Sequence, residues 1–581
     1  TMSLLFENNE DESIEAVYTF PVPDDAVFLG LKLKMNGMEY LTEIVERSQA
    51  VENYEETVTD GNAAILVEEV FTNLYSMQIG NIPPNCDIQI EYEYSLLHEW
   101  KDNLLRWRLP TVLAPRYASS GLEPHHEPEV DLLAKHEFEF SLKVEGLLSN
   151  SSSSSPTHEL SVAKEGSGLL LTLRKGVDVL NRDVIIQFER QDNADVTTVS
   201  WDRDINNQYC SLLSLCTPPV ESYSPDAKTI KILIDCSGSM SGESINQARI
   251  ALREMLQVIR PQDKVMIWKF GSTIEKLQNK PVSVSAIGND IFNHINADLG
   301  GTELFKALIS IASKSSFLAA KEADIFLITD GEVWNEASGY GQVRESLGKR
   351  QRVFSVGVGQ AVSTDVLNNL SGDSGGAVEL VTPNENMASR ITAHFKRMYA
   401  PKIEQLEIDW PISPLYVEDA PVIFSGDTVY IGARFKTKPQ GEVKITSRYA
   451  NGNIVILTNQ FENTPITSKD DPSLSVLARS IAKRQISKST KSEALQLALN
   501  YQIMTSGTAC FASISLDADQ QSDGQPKIRK VAGMLADGYM GVSQGSADYS
   551  SLDMQVCSFE ENSLEYVDMP AFLRRSPEEK S

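Results

Sequence analysis

TIKILIDCSGSM, residues 229–240, is the stretch that decides the fold of the centre of this chain. A short run of mostly branched apolar residues ends at Asp235, which is typical of a strand buried on both faces of a sheet. An apolar stripe at helical spacing follows over residues 245–259, and strand and helix patterns then alternate. This alternation predicts a Rossmann-like, doubly wound α/β domain over residues 228–399.

Oxygen-bearing side chains lie at the ends of these predicted elements. They are Asp235, Ser237 and Ser239 in DCSGSM, Thr302 in GGTEL, and Asp330 in TDGE. The carboxyl ends of parallel strands meet at one edge of a sheet, and alternate residues of an extended segment point the same way, so these groups can converge. An all-oxygen donor set selects a hard cation, and we predict Mg²⁺, with Mn²⁺ or Ca²⁺ as substitutes.

Magnesium prefers six ligands, so these five side chains leave a coordination position open. Because the hydroxyls are neutral, the ion's charge is not cancelled locally, and a carboxylate is a favourable last ligand. The leading hypothesis is therefore metal-dependent binding of a protein partner that offers an Asp or Glu. The alternative is a scaffold role in a large assembly, in which the metal only stabilises a loop.

The motifs DCSGSM, GGT and TDG resemble the metal-ion-dependent adhesion site of the von Willebrand factor A family. The resemblance implies that Ser237, Ser239 and Thr302 touch the metal, whereas Asp235 and Asp330 act largely through water. Upstream, the segments EAVYTFPVP, DGNAA and GNIPPN resemble the vault protein inter-alpha-trypsin (VIT) domain. The order of the two domains is similar to the intracellular branch of the family that includes the vault-associated poly(ADP-ribose) polymerase.

The β-rich character of the flanks suggests a domain division around the α/β domain. The family's VIT domain has further strand sequence before the FEN segment, so its first β layer is expected to be incomplete here. The predicted regions are 1–99, an N-terminally incomplete VIT domain; 100–216 and 400–516, β-rich parts of one sandwich into which the A domain at 228–399 is inserted; and 517–581, an acidic flexible tail.

Composition excludes several classes of partner and location. With 80 acidic and 52 basic residues the net charge is -28, which repels nucleic acid and anionic lipid surfaces. No stretch reaches the roughly 20 apolar residues that span a bilayer, so we predict no membrane insertion. The acidic start lacks a signal peptide, and the 6 cysteines are scattered. We therefore expect free thiols and a cytoplasmic protein, or a secreted one whose export signal was removed.

Motifs that suggest catalysis lack the context that catalysis needs. Residues 372–376 read GDSGG, like a chymotrypsin-type protease, but they fall where a glycine turn is expected and lack the matching histidine segment. A phosphatase would need an acid where Ser237 stands. A zinc site would have to be assembled from residues of a proline-flanked loop, namely His125, His126, Glu127 and His136. We predict that the chain is not an enzyme.

Overall fold

A computed structural model of the chain describes residues 1–23, 25–71, 73–101, 104–112, 126, 129–131, 134–190, 197–217, 227–312, 323–330, 337–358, 362, 364–382, 385–461, 475–522 and 524–534.

Strands dominate the first part of the chain. The segment up to Ser95 contains β1 (Met2–Asn8), β2 (Ile14–Pro21), β3 (Val27–Met35), β4 (Met38–Leu41), β5 (Glu43–Glu46), α1 (Arg47–Thr59), β6 (Ala63–Phe71), β7 (Leu74–Ile82) and β8 (Cys86–Ser95). The next segment contains β9 (Trp100–Lys101), β10 (Leu104–Leu109), β11 (Val130–Asp131), β12 (Glu137–Val144), β13 (Ser152–Ser154), β14 (Leu160–Glu165), β15 (Gly168–Val179), β16 (Val184–Glu189), β17 (Thr198–Asp204) and β18 (Gln208–Cys216).

Strands and helices alternate in the centre, and β character returns after it. The central elements are β19 (Thr229–Asp235), α2 (Glu243–Val258), β20 (Lys264–Phe270), β21 (Ile274–Lys276), β22 (Val282–Ser283), α3 (Leu304–Ile311), β23 (Asp324–Thr329), α4 (Ala337–Ser346), β24 (Val353–Val358), α5 (Thr364–Ser374), β25 (Val378–Val381) and α6 (Met387–Lys396). Then come β26 (Ile403–Asp409), β27 (Tyr416–Val417), β28 (Thr428–Phe435), β29 (Glu442–Tyr449), β30 (Ile454–Gln460), α7 (Val476–Ile486), α8 (Lys491–Asn500), β31 (Thr508–Ile514), β32 (Lys527–Lys530) and β33 (Gly533–Met534).

The central elements form a sheet covered by helices on both faces, which confirms the predicted doubly wound α/β class. Its strand order is β21-β20-β19-β23-β24-β25, and β20, β19, β23, β24 and β25 run parallel. Alternate residues of β19 point to opposite faces: Ile232 packs in the core beneath α2 and α6, and Leu233 packs in the core beneath α3, α4 and α5. The strand that opens the domain therefore lies in the middle of its sheet.

The alternation of strands and helices predicted over residues 228–399 is interrupted between β20 and residue 295. The chain there forms β21 and β22, which pair antiparallel with β20, followed by short 3₁₀ turns at Val284–Ala286 and Asn289–His294. Pro281 cannot lie inside a regular helix, and Gly288 weakens helical structure further. The result is an extended edge to the sheet instead of another covering helix.

The N-terminal region is completed by strands from the far end of the chain. One sheet has the order β1-β8-β3-β4 and faces another with the order β32-β2-β7-β6-β31-β5, and both contribute to one apolar core. Thr508–Ile514, predicted as part of the sandwich at 400–516, instead pairs with β6 and β5. Lys527–Lys530 falls in the predicted tail but pairs parallel with β2, where Arg529 meets Glu10 at 2.6 Å. Backbone pairing with β2 thus brings into the sheet a segment whose composition suggested a tail.

The α/β domain is inserted between two strands of another sheet. The strand β18, which precedes it, pairs antiparallel along its length with β28, which follows it, in the order β17-β18-β28-β27. This sheet packs against a sheet of order β26-β29-β30 around a shared core. The strands β9, β10, β13 and β16 instead pack against β12, β14 and β15 around a core of their own. These seven strands thus form a separate pair of packed sheets, contrary to the expectation of one sandwich for residues 100–216 and 400–516.

Glu385 fastens the α/β domain to this neighbouring layer. Its side chain is fully buried, and both oxygens accept hydrogen bonds from the Arg106 guanidinium at 2.8 Å. Arg390 donates to it at 2.9 Å and Gln187 at 3.2 Å, while the backbone N–H and hydroxyl of Thr382 lie 2.9 and 3.0 Å away. A buried carboxylate satisfied from both domains resists their separation.

Replacing Glu385 should loosen the attachment between the two domains, because Glu385→Ala leaves the largely buried Arg106 guanidinium without its anion, whereas Arg390 keeps Glu379. We expect a loss of about 3 kcal/mol in stability. Thermal melts of the full chain would measure it, with the exposed Glu404→Ala on β26 as the matched control. Equal melting temperatures for the two variants would contradict this assignment.

Lys231 in β19 gives the stability a pH dependence. Its side chain is buried and donates to the Ile311 carbonyl at 2.5 Å, and burial lowers the pKa of the ammonium to about 8. Above that pH the unfolded chain binds more protons than the folded one, so stability rises with pH toward the unfolded pKa. Lys231→Met should be more stable than the native chain at pH 7, and the difference should shrink toward pH 10. Parallel melting profiles across this range would refute it.

Candidate metal centre

Asp235 lies at the carboxyl end of the central strand, and its carboxylate is held from two sides. Its Oδ1 accepts from the backbone N–H of Ser237 at 2.9 Å, and its Oδ2 accepts from the Thr329 hydroxyl at 2.6 Å. Thr329 is the last residue of β23, the strand beside β19. The carboxylate therefore joins the ends of two adjacent parallel strands.

The two serines of the DCSGSM segment come together as the alternation predicts. Ser237 and Ser239 place their Oγ atoms 3.0 Å apart, on either side of Gly238. The next residue, Met240, is buried in the core beneath α2 and holds the 3₁₀ turn Gly238–Met240 against the domain. Cys236 points the other way, into that core, where burial raises the pKa of its thiol to about 12.

The loop that carries Thr302 is bound directly to the serine segment. The N–H of Leu299 donates to the Cys236 carbonyl at 2.9 Å, and the N–H of Gly238 donates to the Gly300 carbonyl at 2.7 Å. Gly300 has a φ of +73°, a backbone conformation that residues other than glycine seldom adopt. Thr302 lies two residues further on and is half-buried, just before α3.

Asp330 directly follows Thr329 and is largely buried. It lies close enough to Asp235 that burial, together with the charge of Asp330, raises the pKa of the Asp235 carboxyl. Hydrogen bonds thus link Asp235, Ser237 and Ser239 to one another. The charge of Asp330 acts on the Asp235 carboxyl, and the backbone of the loop that carries Thr302 is hydrogen-bonded to the serine segment. All of the sequence-predicted ligands lie on segments at one edge of the sheet.

This donor set fits a hard divalent cation. Two buried carboxylates close together repel each other, and a cation between them would offset that repulsion. The remaining candidate donors are hydroxyls, and within the described part of the chain no group of three or more His, Cys, Asp or Glu residues could hold a metal. Oxygen donors without thiolate or imidazole suit Mg²⁺, Mn²⁺ or Ca²⁺.

Sequence reasoning missed two supporting residues. Thr329 orients Asp235, and its position immediately before Asp330 could have suggested this role. Ser272 follows β20, accepts a hydrogen bond from the N–H of Gly301 at 2.8 Å, and donates its own N–H to the Leu299 carbonyl at 2.7 Å. A serine in a loop after a strand carries no sequence signal for this contact.

Among the residues that the structure describes, those of the motifs that suggested other chemistry have structural roles. Ser374, in the GDSGG segment, ends α5: its hydroxyl donates to the Ser371 carbonyl and accepts from the N–H of Val353. His126 bonds to Ser76 and His136 to the Ala532 carbonyl, so these two histidines have separate partners. His125 and Glu127 lie outside the described residues.

Comparison with protein families identifies two regions. The family model described as the vault protein inter-alpha-trypsin domain matches residues 1–94, and that of the von Willebrand factor type A domain matches residues 228–380. The second match contains every predicted metal ligand. The chain also contains no helix, within its described residues, that is long and apolar enough to cross a membrane.

Individual relatives are distant. The chain is 26% identical to von Willebrand factor A domain-containing protein 5A of Rattus norvegicus, over 90% of this chain and 69% of the rat protein. It is 23% identical to protein mono-ADP-ribosyltransferase PARP4 of Mus musculus, over 70% of this chain and 21% of that protein. It spans about half the length of two relatives from Dictyostelium discoideum.

Among solved structures, a von Willebrand factor type A protein from Catenulispora acidiphila aligns with a TM-score of 0.33 at 13% identity. The alignment covers 52% of this chain and 80% of that one.

Gly300 offers a test of how the Thr302 loop is held. In Gly300→Ala the new Cβ would lie 2.9 Å from the Ser272 Oγ, so either the loop shifts or the Ser272 hydroxyl moves and gives up its hydrogen bond from the Gly301 N–H. We expect the rise in melting temperature on adding Mg²⁺ to fall to about half or less, besides a strain cost of about 1 kcal/mol.

The matched control is Gly166→Ala, since Gly166 has a φ of +59° with open space around it. It should lose similar stability yet keep the full response to Mg²⁺. An unchanged Mg²⁺ response in Gly300→Ala would show that the loop does not serve the metal.

Proposed function

Because the chain carries a vault protein inter-alpha-trypsin domain followed by a von Willebrand factor type A domain, we propose that it is a recognition protein that binds an acidic side chain of a partner through a divalent cation. The cation is Mg²⁺, which Mn²⁺ or Ca²⁺ can replace. Its ligands are Asp235, Ser237, Ser239, Thr302 and Asp330.

The observation that carries this proposal is the pair of serine hydroxyls, 3.0 Å apart, beside a carboxylate already held by the protein. Since Asp235 is engaged by Ser237 and Thr329, it is positioned to act through water, as the family resemblance implies. Neutral hydroxyls in contact with the ion leave its charge largely uncompensated. The ion therefore supplies an electrophilic position that favours a carboxylate from outside.

We propose binding without catalysis. Cys236 is the nucleophile nearest to the predicted ligands in sequence, but its thiol is packed in the domain core and its raised pKa keeps it protonated. The hydroxyl of Ser374 is engaged at the end of a helix. Metal-dependent capture requires neither a nucleophile nor a base, so the described residues supply what the proposed function needs.

The cytoplasm is the compartment we propose for this protein, with secretion as the alternative. The described cysteines are Cys86, Cys210, Cys216, Cys236 and Cys510, all buried and unpaired. Free thiols are typical of a reducing environment.

Asp235→Asn should abolish metal-dependent capture, because it removes charge from the site while keeping the size of the side chain. We expect Mg²⁺ affinity, measured by calorimetry, to fall at least ~10-fold, or about 1.4 kcal/mol. Crosslinking followed by mass spectrometry, with Mg²⁺ and with chelator, should then recover the same partner only with the native chain and Mg²⁺.

The control is Asp373→Asn at the exposed end of α5, which should bind metal and partner like the native chain. Partner capture that persists undiminished in chelator would contradict the proposed function. Loss of Mg²⁺ binding with partner capture intact would assign capture to another surface.

A further inference from the structure

Residues 527–534 lie across the junction of two parts of the molecule, and we call them the strap. The strap begins with β32, which pairs parallel with β2 at the edge of the N-terminal sheet. It ends with β33, which pairs parallel with β11 in the segment between β10 and β12. The strap therefore contacts both the N-terminal core and the region of the neighbouring layer pair.

Adjacent residues of the strap bond to different parts of the molecule. The N–H of Val531 donates to the Val17 carbonyl in β2 at 2.9 Å. The carbonyl of the next residue, Ala532, lies within hydrogen-bond distance of the Nε2 of His136, at 2.7 Å, just before β12. Because these successive residues bond to β2 on one side and to the start of β12 on the other, the strap joins the two parts directly.

Ion pairs at the surface hold the first half of the strap. The guanidinium of Arg529 bonds to both oxygens of Glu10, at 2.6 and 2.9 Å. The ammonium of Lys527 lies 2.5 Å from Glu12 in the same loop between β1 and β2. The side chains of Arg529 and Lys527 are 46% and 58% exposed, so dissolved salt reaches both pairs and weakens their attraction.

The strap buries little surface compared with the sheet that it joins. Each of residues 527–534 is half-buried or exposed, whereas β7 in the same sheet is buried along its whole length. Segments with few buried contacts open locally at a much lower free energy than the core. The chain just before the strap is anchored, because the N–H of Ser522 donates to the Gly61 carbonyl at 3.3 Å. Opening can therefore be confined to the residues after Ser522.

The strap also covers a small cavity of about 30 Å³. Val531 and Met534 contribute to its lining together with Tyr18, Val112 and Leu180. Release of the strap admits water to these apolar side chains. It also leaves β2 as the outermost strand of its sheet among the described residues. The open state therefore presents a sheet edge that the closed state covers.

We propose that the strap is a releasable latch between the N-terminal core and the neighbouring layer pair. It opens while both of these parts stay folded. The ion pairs of Arg529 and Lys527 set the population of the open state, so ionic strength shifts it. Since β33 is the strand partner of β11 among the described residues, opening of the strap also frees β11.

The test is hydrogen exchange of the full chain, followed by mass spectrometry at about 50 and 500 mM NaCl, which differ several-fold in screening length. At the lower salt, residues 527–534 should exchange at least ~10-fold faster than β7 but more slowly than an unfolded chain. At the higher salt their exchange should quicken ~3-fold or more, and that of residues 129–131 should quicken with it. Exchange in β23 should not respond to salt.

Charge variants separate the ion pair from general effects of salt. Arg529→Glu places two acids together, so exchange of residues 527–534 should quicken ~5-fold or more at low salt. Adding Glu10→Arg to this variant restores opposite charges in exchanged positions and should return the exchange toward the native rate. The control is Lys164→Glu, exposed on β14, which makes the same change of charge and should leave the strap unaffected.

Four results would overturn the proposal. Residues 527–534 that exchange as slowly as β7 would form a fixed strand, and residues that exchange at the unfolded rate in the native chain would form no latch. A strap that does not respond to salt, or a double variant that exchanges like Arg529→Glu alone, would show that the ion pairs do not hold it closed. Unchanged exchange at residues 129–131 while the strap opens would show that it does not join the two parts.

Discussion

The carboxylate of Asp235, held between two parallel strands, is the interaction on which the candidate site depends. One oxygen accepts from the serine loop and the other from Thr329 at the end of β23, so the carboxylate fixes both strand ends relative to each other. It does so close to a second acid, Asp330, whose charge opposes its ionisation. A divalent cation would resolve the remaining conflict, because it offsets the repulsion between the acids.

The rest of the molecule is arranged so that this edge is held in place. The α/β domain is inserted between paired strands β18 and β28, and its ends meet where the Lys228 ammonium donates to the Met398 carbonyl at 2.7 Å. Glu385 follows β25, the last strand of the α/β sheet, and its carboxylate accepts hydrogen bonds from Arg106 of the neighbouring layer. The domain is therefore anchored both at its chain ends and beside its last strand. These anchors restrict its motion relative to the flanking β layers.

The sequence predicted those parts of the fold that depend on local pattern. The buried run before Asp235 and the alternation of Ser237, Cys236 and Ser239 follow from strand periodicity, and the structure has both. Pairings across long distances could not be read in this way. Cys510 lies opposite Val67 in β6 although more than 400 residues separate them, and nothing in the segment around Cys510 identifies its partner. The contact of Ser272 with Gly301 depends likewise on how β20 and the Thr302 loop meet. Metal binding by the predicted ligands stays a prediction.

Anomalous diffraction from crystals of the full chain grown with Mn²⁺ would show directly whether the predicted ligands hold a cation. We expect a single strong peak about 2.2 Å from the hydroxyls of Ser237, Ser239 and Thr302, with Asp235 and Asp330 reaching it through water and one coordination position facing solvent or a neighbouring carboxylate. No peak at this edge, or a peak bound away from the serine pair, would contradict it.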